Sequence, residues 1–378
     1  MATAAAAIPL NSPRAQFKNP DMWLISPRYD LMFIIFSAVL IFFPHISHTL
    51  FPSIIFVDLL VTMLIGGPHL FATYTMTLME PDFRARYPIY SKGALLLPVI
   101  IVALAIMNLT LLVTIFFFWA SIHVIHQAAF VTDAYRMKDP RGWTWMSRAI
   151  DYGLLATCLY PIATSKLIRS EFSTGGRVLL FPDFLKFSWL PYVVTAAFAF
   201  FLVAFIVKTL YEWRTGRFHF GKTLHIGLAT VLFFVTPALR NLDVAFQGLN
   251  AWHSFQYLAV VLYLNRLRES RGYIHSDVVK KTAKKGWRLY ALCLGFTIGA
   301  GVLFLAVLGL LVSAGWLQQG NQMQTILYGT VYAQQHYFAF YSVVLSFLLI
   351  HYYFDHFLFL GTDKKITPTF APIGAPAR

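Results

Sequence analysis

Six histidines lie in apolar stretches at spacings that suit a metal. His69 closes Gly66-Gly67-Pro68-His69. His123 and His126 stand three apart with Gln127 beside them, so His123 and Gln127 are one helical turn apart. His253 sits in a polar stripe with Gln247, Asn250 and Tyr257. His351 is followed by Asp355 at i+4 and by His356. Neutral imidazole suits iron, zinc, copper and nickel, and no soft thiolate ligand is available nearby. A metal-bound histidine usually hands its other ring N–H to a carboxylate, amide or carbonyl. Asp355, Asp133, Gln127 and Asn250 are the expected orienting partners. Three or four imidazoles leave iron(II) with open positions for O2 and a substrate.

The elements that must position these residues are membrane spans. The chain has 378 residues, 58% hydrophobic and only 12% charged. Soluble domains carry about a quarter charged residues, so this composition excludes a disordered chain, a coiled coil or an ordinary soluble enzyme. Apolar runs near the required 20 residues fall at about 30–50, 53–78, 93–108, 109–131, 150–167, 188–208, 223–240, 243–264, 289–314 and 326–360. The third and fourth meet at Asn108, and the tenth is too long for one straight crossing. The expected fold is all-α, a polytopic bundle of about ten helices. Residues 1–29 form a cytoplasmic N-terminal segment, 30–360 one transmembrane domain, and 361–378 a cytoplasmic tail. The N-terminal residues lack the pattern of a cleaved signal peptide, and no lipidation signal ends the chain.

Net charge is +14, which on a soluble protein would suggest nucleic acid. Here the cations lie in loops, and no nucleic-acid partner is expected. With the N-terminus inside, only Lys166, Arg169, Arg177, Lys186 and Arg240 of the 30 Lys and Arg fall outside. That asymmetry predicts cytoplasmic termini, with the basic loop 265–288 against an anionic leaflet. Counted from the cytoplasmic ends, the six histidines sit about 6–20 Å deep on four different spans. Ionisable groups at such depth are costly and mark function. His69, His126, His253 and His351 are the first-choice ligands, with His123 and His356 as substitutes. Tyr257 is expected to hydrogen-bond oxygen or replace a ligand. Pro68 after two glycines is expected to break its helix and open a cavity. His45, His48, His219, His225 and His275 read as structural or loop residues, and His336 as structural or substrate-lining. Cys158 and Cys293, the only cysteines, cannot build a disulfide framework or a Cys-rich metal site.

These motifs resemble the Brp/Blh family of bacterial and archaeal membrane β-carotene 15,15′-dioxygenases. The similarity lies in Gly67-Pro68-His69, in Ile122-His123 followed by Asp133, in His253-Ser254 followed by Tyr257, and in His351 with Asp355. Tyr257 stands where that family has a second histidine, and the Ile-His to Asp spacing is longer. The resemblance covers four short patches. It implies a bacterial inner-membrane oxygenase with one non-haem iron held by histidines, cleaving an apolar polyene with O2. The residues leave other chemistries open: a di-iron desaturase or hydroxylase, a zinc hydrolase, a haem-b carrier using His69 and His253, or a transporter. No adjacent His-His pair, the mark of di-iron histidine boxes, is present.

Overall fold

The computed structural model describes residues 13–174, 177–315, 333–361, 363 and 365. Side chains of 308, 311, 312 and 333–340 are outside that description, as are the expected terminal residues 1–12 and the span start at 326–332. The described chain is almost wholly helical: α1 (Pro20–Leu50), α2 (Ile54–Tyr74) and α3 (Pro88–Lys138); α4 (Trp145–Thr157) and α5 (Tyr160–Ile168); α6 (Leu190–Arg214), α7 (Phe220–Val235), α8 (Leu242–Ser270), α9 (Asp277–Ala283), α10 (Gly286–Ser313) and α11 (Ala333–Phe359). A two-residue hairpin, Ser173–Thr174 against Arg177–Val178, joins α5 to α6.

Among the described residues, seven stretches are long and apolar enough to cross a membrane. The difference from ten has three physical causes. First, α3 is a folded-back pair rather than one rod. Tyr90 packs on His356 with ring centroids 5.8 Å apart, and Phe130 on Phe359 at 5.6 Å. Tyr90 and Phe130 would be about 60 Å apart along a straight helix, yet their partners are adjacent turns of α11. The reversal is at Asn108, whose backbone is non-helical (φ −160°, ψ 87°). Its side chain accepts the N–H of Leu111 at 2.9 Å and caps the descending arm. Second, the expected span 150–167 is divided into α4 and α5. Pro161 lacks an N–H and crowds the carbonyl of Thr157, which ends the first piece. Third, α8 carries Gln247, Asn250, His253, Ser254, Gln256 and Asn265, so its mean hydropathy is low.

That polar helix is the centre of the bundle, buried along most of its length and around most of its circumference. Chains approach it closely: a Cβ on Gly248 would lie 2.5 Å from the carbonyl oxygen of Ile41. Pro68 does not break α2. The turn before it, Thr62–Gly66, widens into a π turn, and the helix resumes at Gly67–Tyr74. A π turn accommodates the missing Pro68 donor and often marks a functional position. Gly67 is packed on α10, where an added Cβ would meet Thr297 Cγ2 at 2.2 Å.

One end of the bundle is rich in charge. The first described residues dock there: Gln16 bonds to the backbone of Phe218 and Phe220, and Lys138 to the carbonyl of Leu24, near the start of α1, at 3.0 Å. Residues after α11 dock there too, Asp363 on Arg86 and Lys365 on Asp82. The opposite end carries the hairpin, with Arg177 bonded to Thr110 and Lys166 to the carbonyl of Leu239.

Between α3, α4, α6 and α7 lies a buried ion cluster. Asp151 contacts Arg136, Lys208 and Lys222; Glu212 faces both lysines; Asp133 holds Arg136 and Arg148. Each charge has an opposite partner.

Candidate metal centre

Four helices bring four histidines together in the half of the bundle nearer the charged end. His69 comes from α2, His123 from the descending arm of α3, His253 from α8 and His351 from α11. The His69 ring centroid is 4.3 Å from that of His351 and 4.9 Å from that of His253. The His123 ring is 5.1 Å from His351 and 5.0 Å from His253. All four are buried.

The state of their nitrogens is the informative feature. Nε2 of His69, His123, His253 and His351 is buried in every case and has no hydrogen-bond partner. Asp355 Oδ2 is likewise unpartnered, 3.3 Å from His351 Nε2 and 3.6 Å from His123 Nε2. Buried polar atoms are normally satisfied, so five such atoms in one place need a common cause. Ligand nitrogens of His69, His123 and His351 lie within 4.8 Å of one another. One ion with nitrogen ligands at about 2.0–2.1 Å holds them about 3–4 Å apart, so this triad is near the spacing one ion needs, with the His253 ring beside it but not in that group. The donor chemistry and the geometry fit a single metal.

The other faces of these rings are held. His69 Nδ1 is 3.3 Å from the carbonyl oxygen of Gly66 and 3.1 Å from Ser254 Oγ. A carbonyl only accepts, so Nδ1 carries the proton and Nε2 keeps its lone pair free. His351 Nδ1 is 2.5 Å from Thr73 Oγ1, which donates to Asp355 Oδ1 at 2.9 Å. Tyr257 also donates to Asp355 Oδ1, at 2.6 Å. The His123 ring stacks on Tyr352 with centroids 4.0 Å apart.

Other residues singled out by spacing lie elsewhere. His126 is exposed on the outer face of α3, 6.3 Å from Phe359. The three-residue step from His123 turns it out of the cluster, so His123 and not His126 joins the other histidines. His356 is half-buried and turns toward Tyr90, with Nδ1 bonded to the carbonyl of Tyr353. Asp133 belongs to the ion cluster, bound by Arg148 and Tyr152. Gln127 donates to the His253 backbone carbonyl at 2.9 Å and to Gln256, touching no imidazole. Asn250 reaches His69 only through Ser254, which donates to Asn250 Oδ1 at 3.1 Å.

Spacing alone misses Thr73 and Ser254, although each carries a signal. Thr73 is four residues after His69, and Ser254 is adjacent to His253 and four after Asn250. His219 and His225 are buried and structural. His219 Nδ1 accepts the N–H of Lys222 and caps α7, and His225 bonds to the carbonyl of Ala128.

One cavity reaches the cluster, and a second, lined by none of the four histidines, lies beside the first. The first, of about 60 Å³, runs from Thr174 and Asp243 at the hairpin end past Asp58 to His69. The other, of about 80 Å³, is almost purely apolar, with Phe118, Val124, Leu159 and Leu249 among its walls. Phe117 and Phe246, with ring centroids 4.6 Å apart, border both. No family profile, curated protein or solved structure matches the chain.

Proposed function

We propose that this chain is a membrane oxygenase that binds one non-haem iron(II) and oxidises an apolar lipid or isoprenoid with O2. The observation that carries the reading is the set of four buried imidazole Nε2 atoms, each without a partner and contributed by a different helix. His69, His123, His253 and His351 would hold the metal. Bound iron would supply activation of O2 toward a double bond or a C–H bond.

The chain's own groups do the rest. Ser254 and Thr73 fix the ring orientations of His69 and His351. Thr73 and Tyr257 hold Asp355 by Oδ1 and leave Oδ2 facing His123 and His351. That free oxygen can complete the ligand set or accept a proton from substrate. The apolar lining of the cavity beyond Phe117 and Phe246 suits a lipid-borne chain better than a polar substrate. We place the bundle in a bacterial inner membrane with ten crossings and both termini cytoplasmic, so that the histidines lie in the cytoplasmic half.

A haem between His69 and His253 fits poorly, because their rings pack edge-to-face at 4.9 Å with His123 and His351 alongside. The test is elemental mass spectrometry on detergent-purified protein never exposed to chelator, followed by O2 uptake with a lipid-soluble polyene. About one iron per chain and substrate-dependent uptake are expected. Two irons would favour a desaturase-type centre, and one zinc a hydrolase. No metal would sink the oxygenase reading and leave the histidines as a transport path.

A further inference from the structure

A line of hydrogen bonds leaves the histidine cluster toward the hairpin end and stops on a buried acid. His69 Nδ1 donates to Ser254 Oγ at 3.1 Å. Ser254 Oγ donates to Asn250 Oδ1 at 3.1 Å. Asn250 Nδ2 donates to Gln247 Oε1 at 3.1 Å, and Gln247 Nε2 to Asp58 Oδ1 at 2.8 Å. Positions 247, 250 and 254 share one face of α8, while His69 and Asp58 share α2. The line follows the wall of the cavity that joins Asp58 to His69.

The direction of every link is fixed by chemistry. Gly66 requires the proton on His69 Nδ1, so Ser254 accepts there and must spend its own hydrogen on Asn250. Each amide then accepts with its oxygen and donates with its nitrogen, and the last donation falls on Oδ1 of the Asp58 carboxyl. Aligned donors of this kind polarise one another. Amide N–H groups do not relay protons without becoming imidic acids, so the line orients and polarises rather than conducts. Asp58 is 7% exposed in an apolar bundle, an expensive place for an acid, and this arrangement gives it a purpose.

We propose that Asp58 is a positioning residue for the metal centre, acting on His69 through Gln247, Asn250 and Ser254. Its carboxyl anchors the far end of the line, which holds the His69 ring by its Nδ1 side and keeps Nε2 turned toward the cluster. This rests on the metal reading above. Outer partners of ligand histidines typically change metal affinity by about 10–100-fold.

The test is Co2+ affinity of the purified full chain, with the visible d–d spectrum as a second readout. Ser254→Ala, which cuts the line beside His69, should weaken binding about 10–100-fold. Asp58→Asn, nearly isosteric, should weaken it by about tenfold and shift the spectrum. Ser254→Thr restores the hydroxyl and should bind like wild type. The double variant Asp58→Asn/Ser254→Ala should be no weaker than Ser254→Ala alone, because the line is already cut; additive losses would mean two independent structural effects and overturn the proposal. Variants that elute as folded monodisperse protein and bind cobalt with wild-type affinity and spectrum would overturn it too. A wild-type protein that takes no cobalt would overturn the metal reading itself, and the proposal with it.

Discussion

The bundle holds two buried polar clusters, and they are built on opposite plans. Around Asp151 every charge faces an opposite charge: Arg136, Lys208 and Lys222 surround Asp151, and Glu212 and Asp133 take the remaining contacts. Such a group ties α3, α4, α6 and α7 together and is closed. Around His69 the groups are neutral rings of one type, with their free nitrogens gathered and unpartnered. Packing histidines this way gains nothing for a fold, since unsatisfied buried polar atoms cost about 1–3 kcal/mol each. Charge alone therefore does not mark function in a membrane interior. Unpartnered atoms occur in both clusters, at Arg136 Nε and Glu212 Oε2 as well as at the rings; what sets the histidines apart is that their open atoms are lone-pair nitrogens of one kind gathered at one point.

The sharpest way to break this contrast is to remove one ring. His351→Ala or His123→Ala should abolish metal binding while the protein still elutes as a folded species, because each removes one ring and with it one inter-helix anchor, that of His351 on Thr73 or of His123 on Tyr352. Metal per chain, measured by elemental mass spectrometry, should fall to background. Full occupancy in both variants would mean that the convergence has no ligand. The reverse experiment targets the closed cluster. Asp151→Ala leaves Arg136 with Asp133 alone and Lys208 and Lys222 with only Glu212, 3.9 Å away, and breaking a buried pair costs about 3–5 kcal/mol. Thermal unfolding in detergent should show that loss, with metal per folded chain unchanged. A variant with normal stability and lost metal would erase the distinction between the clusters.

Much of this is legible in the sequence. Hydropathy dictates the helical bundle, because an apolar run of that length satisfies its own backbone in lipid only by coiling into a helix. The convergence of His69, His253 and His351 at one level of the bundle follows from helical rise. The choice between His123 and His126 does not follow, since two residues three apart on an apolar helix differ only by which neighbour each faces, and Tyr352 and Phe359 decide that. Asp133 looks like an orienting acid, but Arg136 one turn away captures it. Thr73 and Ser254 are hidden for a different reason. Small hydroxyls in membrane helices usually bond to their own backbone, as Thr77 does to the carbonyl of Thr73, and only the tertiary fold shows which ones reach a ring.

A buried histidine outside the cluster sharpens the contrast by pH. His219 lies just before α7 beside the ion cluster, with Asp139, Arg141, Lys222 and Tyr135 around it. Burial pushes its pKa down from 6.5 to about 3, opposed by Asp139 and assisted by Lys222 and Arg141. The folded chain thus keeps it neutral where the unfolded chain would protonate it. The stability it supports is full above pH 6.5 and is lost as pH falls, at about 1.4 kcal/mol per unit, or about 2 kcal/mol at pH 5. His219→Asn retains a capping side chain without the titration. Its unfolding temperature should fall less than that of wild type between pH 6.5 and pH 5. Parallel profiles would show that the residue does not carry the acid sensitivity.

The smallest expected effect probes the joint between holding and binding. Tyr257 donates to Asp355 Oδ1 at 2.6 Å, and its hydroxyl is also 2.6 Å from Thr73 Oγ1. Tyr257→Phe keeps the ring that packs 4.8 Å from His69 and removes only the hydroxyl. Asp355 keeps Thr73 as a donor, so the carboxylate loosens rather than leaves. Metal affinity should drop by up to about tenfold, in the range of partners one step removed from a ligand. Unfolding should change by about 1 kcal/mol, the net worth of one hydrogen bond. This is the inverse of Asp151→Ala, where stability falls steeply and metal does not. If Tyr257→Phe instead lost several kcal/mol with metal affinity intact, the Asp355 group would belong with the closed ion cluster, as a helix clamp between α2, α8 and α11.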